Sequence, residues 1–294
     1  MAGPPGGRGG DPLSISRAGR RVFEADSAEA LHPDLRVFLS DLTRPYGLGP
    51  REDLLAAGAG QSYGEMSAAL LTEVLPGGDP LDLIVLAFAM PDVRPERATA
   101  SYLSHLCAGA PMGFAICDQG TAAAFTALRL IREYARSGAC RRALLIIIEQ
   151  AVLHHDLPAG GHGAVPARHA AVALSCDSAG PARVQEVRQH AAIAPERASA
   201  VLAADLADLG TPGGSLTLIL GHDLARLTGL AERAAVPGFE AVTRVRIAPA
   251  GQPSTGVWWE LACGTDWADP GELVLLADYE QALGYLSLSA IRYL

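Results

Sequence analysis

With 294 residues, 49% of them hydrophobic and 19% charged, the chain suffices for one large α/β domain or two fused halves around a sizeable core. A formal net charge of -9 argues against nucleic acid or an anionic membrane as a main partner. All 23 basic residues are Arg, which excludes a Schiff-base lysine and a P-loop lysine.

The five cysteines, Cys107, Cys117, Cys140, Cys176 and Cys263, form no CxxC pair and no metal-ligand spacing. Reduced thiols and a cytoplasmic setting are therefore expected. No apolar run reaches membrane-spanning length. Residues 1–12 are dominated by Gly, Pro and Arg and lack the apolar segment of a signal peptide, so residues 1–34 read as a flexible tail and lead-in.

Arg36–Leu39 reads as a strand, and Leu42 to Pro50 as a loop. Asp53 to Leu75 reads as a helix, with its apolar period over Met66–Val74 and glycines loosening its start. Leu75-Pro76-Gly77-Gly78-Asp79-Pro80 breaks the chain. Leu81–Ala89 is a continuous apolar strand, and Ala98 to Cys107 a short helix.

The stretch from Pro111 to Glu149 organises the chain. Met112–Ile116 reads as a short buried strand, Cys117-Asp118-Gln119-Gly120-Thr121 as a tight turn, and Ala122–Arg136 as a helix rich in Ala and Leu. Ser137-Gly138 ends that helix, and Ala143–Ile148 is a second apolar strand. This is the βαβ layout of a sheet covered on both faces. A residue between a strand end and a helix N-terminus faces a crevice, which is where several α/β enzymes present a nucleophile. The same turn also reads as a structural connection with a helix cap.

Between Leu153 and Pro166 lie His154, His155, Asp156 and His162. They lack both an i, i+4 spacing and distal cysteines, so neither a metal nor a cofactor is expected. His169–Leu174 and Arg183–Arg188 read as strands, and Ala191–Leu209 as a helix. After Thr211-Pro212-Gly213-Gly214, Ser215–Leu220 is an apolar strand ending in Gly221-His222-Asp223, and a helix is expected from Leu224 to Ala235.

The order of elements repeats. Leu81–Ala89 matches Ser215–Leu220, and Met112–Ile116 matches Val242–Ile247. The turn at Gly120 and its helix match Gly251-Gln252-Pro253-Ser254-Thr255 and the segment to Ala262, while Ala143–Ile148 matches Glu272–Ala277. Two related halves, residues 35–165 and 166–294, would pack their helix layers together and form a crevice where their turns meet.

Over roughly Leu35 to Leu294 this layout resembles the thiolase-like superfamily, and most closely its type III β-ketoacyl-ACP synthases. The residues that carry the resemblance are Phe114-Ala115-Ile116, the Ala-rich helix, Ser137-Gly138, Ala143–Glu149, Leu218 to His222, Gly251 to Ser254, and Gly271-Glu272-Leu273-Val274-Leu275-Leu276. It implies a five-layer αβαβα fold of two pseudo-repeated halves. In that family a Cys accepts an acyl group from a thioester, and His and Asn stabilise the enolate of a decarboxylating malonyl group.

Counted from Phe114, the nucleophile position falls on Gly120; the nearest thiol is Cys117. Gln252 stands at the Asn position, His222 at the His position, and Asp278-Tyr279-Glu280 where the family has a Gly-Phe-Gly loop. The resemblance therefore implies catalytic positions at His222, Gly120 and Gln252, with Asp118, Gln119 and Cys117 beside them. Tyr279, Glu280 and Ser254 are expected at the substrate.

A chain without a thiol at Gly120 cannot form an acyl-enzyme there. It is expected to be a non-nucleophilic partner of an active ketosynthase in polyketide or fatty-acyl assembly. The alternative is an enzyme of altered acyl-thioester chemistry that uses His222. Expected partners are acyl carrier protein or acyl-CoA, and a second copy or a ketosynthase paired through Ala143–Ile148. Gly120→Cys is expected to give a reactive thiol.

Overall fold

The computed structural model describes residues 12–156, 165–210, 214–230, 237–263 and 269–294. The first half runs β1 (Ser14–Phe23), α1 (Pro33–Thr43), α2 (Glu52–Ala57), α3 (Tyr63–Val74), β2 (Leu83–Ala87), α4 (Thr99–Leu106), β3 (Met112–Ile116), α5 (Ala122–Arg136), β4 (Ala143–Glu149) and β5 (His169–Asp177). The second runs β6 (Ala182–His190), α6 (Pro195–Leu209), β7 (Leu216–Leu220), α7 (His222–Thr228), β8 (Arg244–Ile247), α8 (Gly256–Leu261), β9 (Leu273–Glu280) and β10 (Tyr285–Tyr293).

The strands lie in the order β3-β2-β4-β5-β1-β6-β10-β9-β7-β8. From the middle outward, the first half reads β1-β5-β4-β2-β3 and the second β6-β10-β9-β7-β8. Each second-half strand is thus the counterpart of the one five places earlier. Directions agree as well: β2 is parallel to β3 and β4, β7 is parallel to β8 and β9, and the other pairs within each half are antiparallel. The halves join where Ser14 and Ile15 of β1 meet Arg183 and Ala182 of β6.

Helix α5 touches β2, β3 and β4 on one side and β6, β9 and β10 on the other. Its Ala122–Phe125, Ala127, Leu128 and Ile131 are buried, and Phe125 packs on Trp258 of α8 with ring centroids 4.9 Å apart. The two central helices are therefore the middle layer. α3 and α4 cover the outer face of the first sheet, and α6 and α7 that of the second. This is the five-layer arrangement expected of two repeated halves. No helix among the described residues is long and apolar enough to cross a membrane.

Several expectations need correction. Arg36–Leu39 is helical: Leu35, Leu39 and Thr43 are buried at a four-residue spacing, while Val37 and Phe38 face outward. Asp53–Leu75 splits into α2 and α3, because Gly58 takes φ +65° after α2. The lead-in to residue 34 contains the ten-residue strand β1, and β5 pairs with both β4 and β1. β5 thus pairs only with strands of the first half. α6 begins at Pro195, whose ring suits the first helical turn, and α7 begins at His222 and ends at Thr228. Residues 231–235 of the expected helix, and His162, lie outside the described residues.

The two apolar strands beside the organising turn exchange roles. Met112–Ile116 is not a buried strand but the edge strand β3, with Met112 49% exposed. Ala143–Ile148 is fully buried in β4, hydrogen-bonded to β2 on one side and β5 on the other. Both of its edges are occupied, so it cannot pair with another chain.

Candidate active site

The N-termini of the central helices open on one cavity of about 680 Å³ between the halves. Each is capped by a carboxylate from the opposite half. Glu280, the last residue of β9, accepts the backbone N–H of Thr121, the N-cap of α5, at 2.9 Å. Glu149, the last residue of β4, accepts the backbone N–H groups of Ser254 at 2.8 Å and Thr255, the N-cap of α8, at 3.3 Å. The Thr255 hydroxyl also donates to Glu149. β4 and β9 are counterparts, as are α5 and α8, so the two caps come from corresponding strand ends, one residue apart in register. A helix N-terminus attracts negative charge, which accounts for both carboxylates.

Gly120 lies at the elbow before α5 with φ +52°, and a Cβ there would overlap the Glu280 carboxylate. The carboxylate thus fills the space a side chain at this position would take. Behind it, Asp278 is buried and accepts the N–H of Tyr279 at 2.8 Å. Burial first, then the neighbouring acids, pushes its carboxyl up to about 7. Burial likewise raises Glu149 to about 7, against the pull of its three donors.

Of the residues expected here, Gly120, Asp118, Ser254, Tyr279 and Glu280 line the cavity. The Tyr279 hydroxyl is committed to the Ile193 carbonyl at 2.6 Å. Gln252 is buried and donates to the Thr255 hydroxyl at 3.2 Å, and Gln119 accepts from Thr126 at 2.6 Å; neither is in the cavity wall. His222 is the exposed first residue of α7, and the wall contains its neighbour Asp223 instead. Cys117 is exposed rather than buried in a strand. Its thiol donates to Asp118 at 3.3 Å, and burial together with that carboxylate raises its pKa, the reverse of activation.

The histidine loop divides. His154 is buried and held by the Ala59 carbonyl at 2.7 Å. His155 lines the cavity, and its Nδ1 is buried without a partner among the described residues. Burial lowers its pKa, so its imidazole is neutral at neutral pH. Glu149, His155 and Asp223 are wall residues absent from the sequence-based site. For Glu149 the repeat gives no such signal: carried one residue on, the match of Ala143–Ile148 with Glu272–Ala277 sets Glu149 beside Asp278, not Glu280.

Two repeated halves, a five-layer stack and a site where the two central helices begin define the thiolase-like fold of ketoacyl-ACP synthases of type III. No known sequence family and no curated protein sequence matches the chain. Solved structures do. The tetronic acid condensing enzyme AbyA1 superposes with a TM-score of 0.61 at 15% identity, covering 95% of this chain and 99% of that one. The 3-oxoacyl-[acyl-carrier-protein] synthase III of Aquifex aeolicus VF5 gives 0.59 at 16% identity, with 96% and 100% covered. FabH of Pseudomonas aeruginosa PAO1 gives 0.58 at 15% identity, with 96% and 98% covered.

Proposed function

We propose that the protein is a ketosynthase-III-like component of polyketide or fatty-acyl assembly that has lost cysteine-dependent condensation. The observation that carries this reading is the Glu280 carboxylate seated against Gly120 at the start of α5. Condensation at that elbow needs a thiolate to take the acyl group and positive potential to stabilise an enolate. Here the elbow has no side chain, and two carboxylates, Asp278 and Glu280, oppose developing negative charge. The role that fits is a non-nucleophilic partner of an active ketosynthase. Affinity purification of the native chain from its own cells tests this: a stoichiometric ketosynthase subunit is expected, and a tight homodimer with no such companion overturns the partner role.

Pairing would use the free edge of β3. Met112-Gly113-Phe114-Ala115-Ile116 carries no charge, whereas the opposite edge, β8, carries Arg244 and Arg246. Charged side chains blunt an edge strand, and an uncharged one invites another strand. Ala115→Glu is expected to weaken self-association or ketosynthase pairing by at least ~100-fold, read by light scattering at micromolar concentration. A native protein that scatters as a monomer, alone and with the ketosynthase, would sink this pairing.

A second reading is favoured by the cavity, whose lining includes Ser254, Glu149 and His155. It is altered acyl-thioester chemistry on an acyl-CoA or acyl-carrier substrate, centred on these residues rather than on His222.

A further inference from the structure

The pseudo-symmetry that empties one elbow fills the other. In the first half the chain runs from β3 through Gly120 and the N-cap Thr121 into α5. In the second it runs from β8 through Ser254 and the N-cap Thr255 into α8. Ser254 is therefore the counterpart of Gly120. The residue is 7% exposed and lines the cavity, and its hydroxyl has no hydrogen-bond partner among the described residues. The adjacent Thr255 hydroxyl, by contrast, is bound to Glu149. Glu149 grips the Ser254 backbone N–H at 2.8 Å, which fixes the residue while leaving its hydroxyl unused.

We propose that Ser254 is an acyl-accepting nucleophile in this cavity, with His155 taking its proton and Glu149 positioning it. The proposal rests on the acyl-thioester reading of the cavity. In the step, the Ser254 Oγ attacks the thioester carbonyl, a C–O bond forms, and the C–S bond breaks. The hydroxyl proton passes through the His155 imidazole to the leaving thiolate, which departs as a thiol. Water then hydrolyses the serine ester to a carboxylic acid and regenerates the hydroxyl, with no oxidant or reductant required. His155 is suited to the task because burial keeps it neutral and able to accept a proton.

The test uses the full chain and two probes: a short-chain acyl N-acetylcysteamine thioester and a serine-reactive fluorophosphonate. Intact mass and peptide mapping should show one adduct per chain on the peptide containing Ser254. Ser254→Ala should abolish it with an unchanged thermal midpoint, since only the hydroxyl is removed. His155→Asn should slow labelling by at least ~10-fold and flatten its rise with pH. An adduct that persists in Ser254→Ala, or that maps to Cys117, overturns the proposal. Thermal stabilisation by the thioester without an adduct removes Ser254 as nucleophile and leaves acyl-thioester binding standing. Neither binding nor adduct overturns both.

Discussion

Gly120→Cys alone is expected to stay unacylated by thioester donors and to lower stability by about 2.5–5 kcal/mol. The new Cβ would overlap the Glu280 carboxylate, and the φ of +52° disfavours any L side chain by roughly 1–2 kcal/mol. Swinging Glu280 aside forfeits its charge-assisted bond to Thr121, worth about 1.5–3 kcal/mol. Glu280 left nearby would also raise the thiol pKa rather than lower it. Removing the carboxylate relieves the overlap and the rise in thiol pKa, while the strain of the positive φ stays. In Gly120→Cys with Glu280→Gly, the Thr121 N–H and the α5 terminus are free to favour a thiolate. Acylation of the peptide containing residue 120 should then rise at least ~10-fold over the single variant, in a Cys117→Ser background that removes the nearest thiol. Equal acylation of the single and double variants would show that Glu280 does not guard the elbow.

Stability is expected to fall as pH rises from about 4 to 7, the reverse of ordinary acid denaturation. Glu149 and Asp278 have folded-state pKa values raised to about 7 from ordinary values of 4.5 and 3.8. The folded state therefore binds protons that the unfolded chain releases. The resulting stabilisation is fully present below the unfolded pKa values and is lost as pH climbs through the folded ones. Each group taken alone contributes on the order of 3 kcal/mol at 1.36 kcal/mol per pKa unit. Glu149 is itself among the causes raising Asp278, so the pair titrates together and the effects fall short of additive. Urea unfolding at pH 5 and pH 8 should show the difference, and Glu149→Gln with Asp278→Asn should flatten it. Equal stability of the native chain at both pH values would refute the assignment.

The fold is legible in the sequence because the inner strands announce themselves. Leu83–Ala87, Ala143–Glu149, Leu216–Leu220 and Leu273–Glu280 carry long apolar runs, since both faces of each are covered. Strand β1 is hidden because Ser-Ile-Ser-Arg-Ala-Gly-Arg-Arg-Val-Phe packs only some of its residues and exposes Arg17 and Arg21. Met112–Ile116 reads as buried because hydrophobicity alone does not separate an edge strand from an inner one. At the site, the elbow at Gly120 and the cavity role of Glu280 and Ser254 come from spacing. The outward position of His222 does not, because it depends on where α7 begins: a helix that takes in His222 as its first residue turns Asp223 to the cavity.

The exchanged caps also bear on biogenesis. Glu149 is synthesised 105 residues before Ser254, the first of the donors that will satisfy it. Until the second half emerges, a completed first half would hold a desolvated carboxylate with none of those donors, and the α5 terminus would lack Glu280. Neither half is then a self-sufficient folding module. The Glu149 cap is complete only once Ser254 and Thr255 have been made, and the α5 cap only once Glu280 has, so each half depends on the other for the start of its central helix.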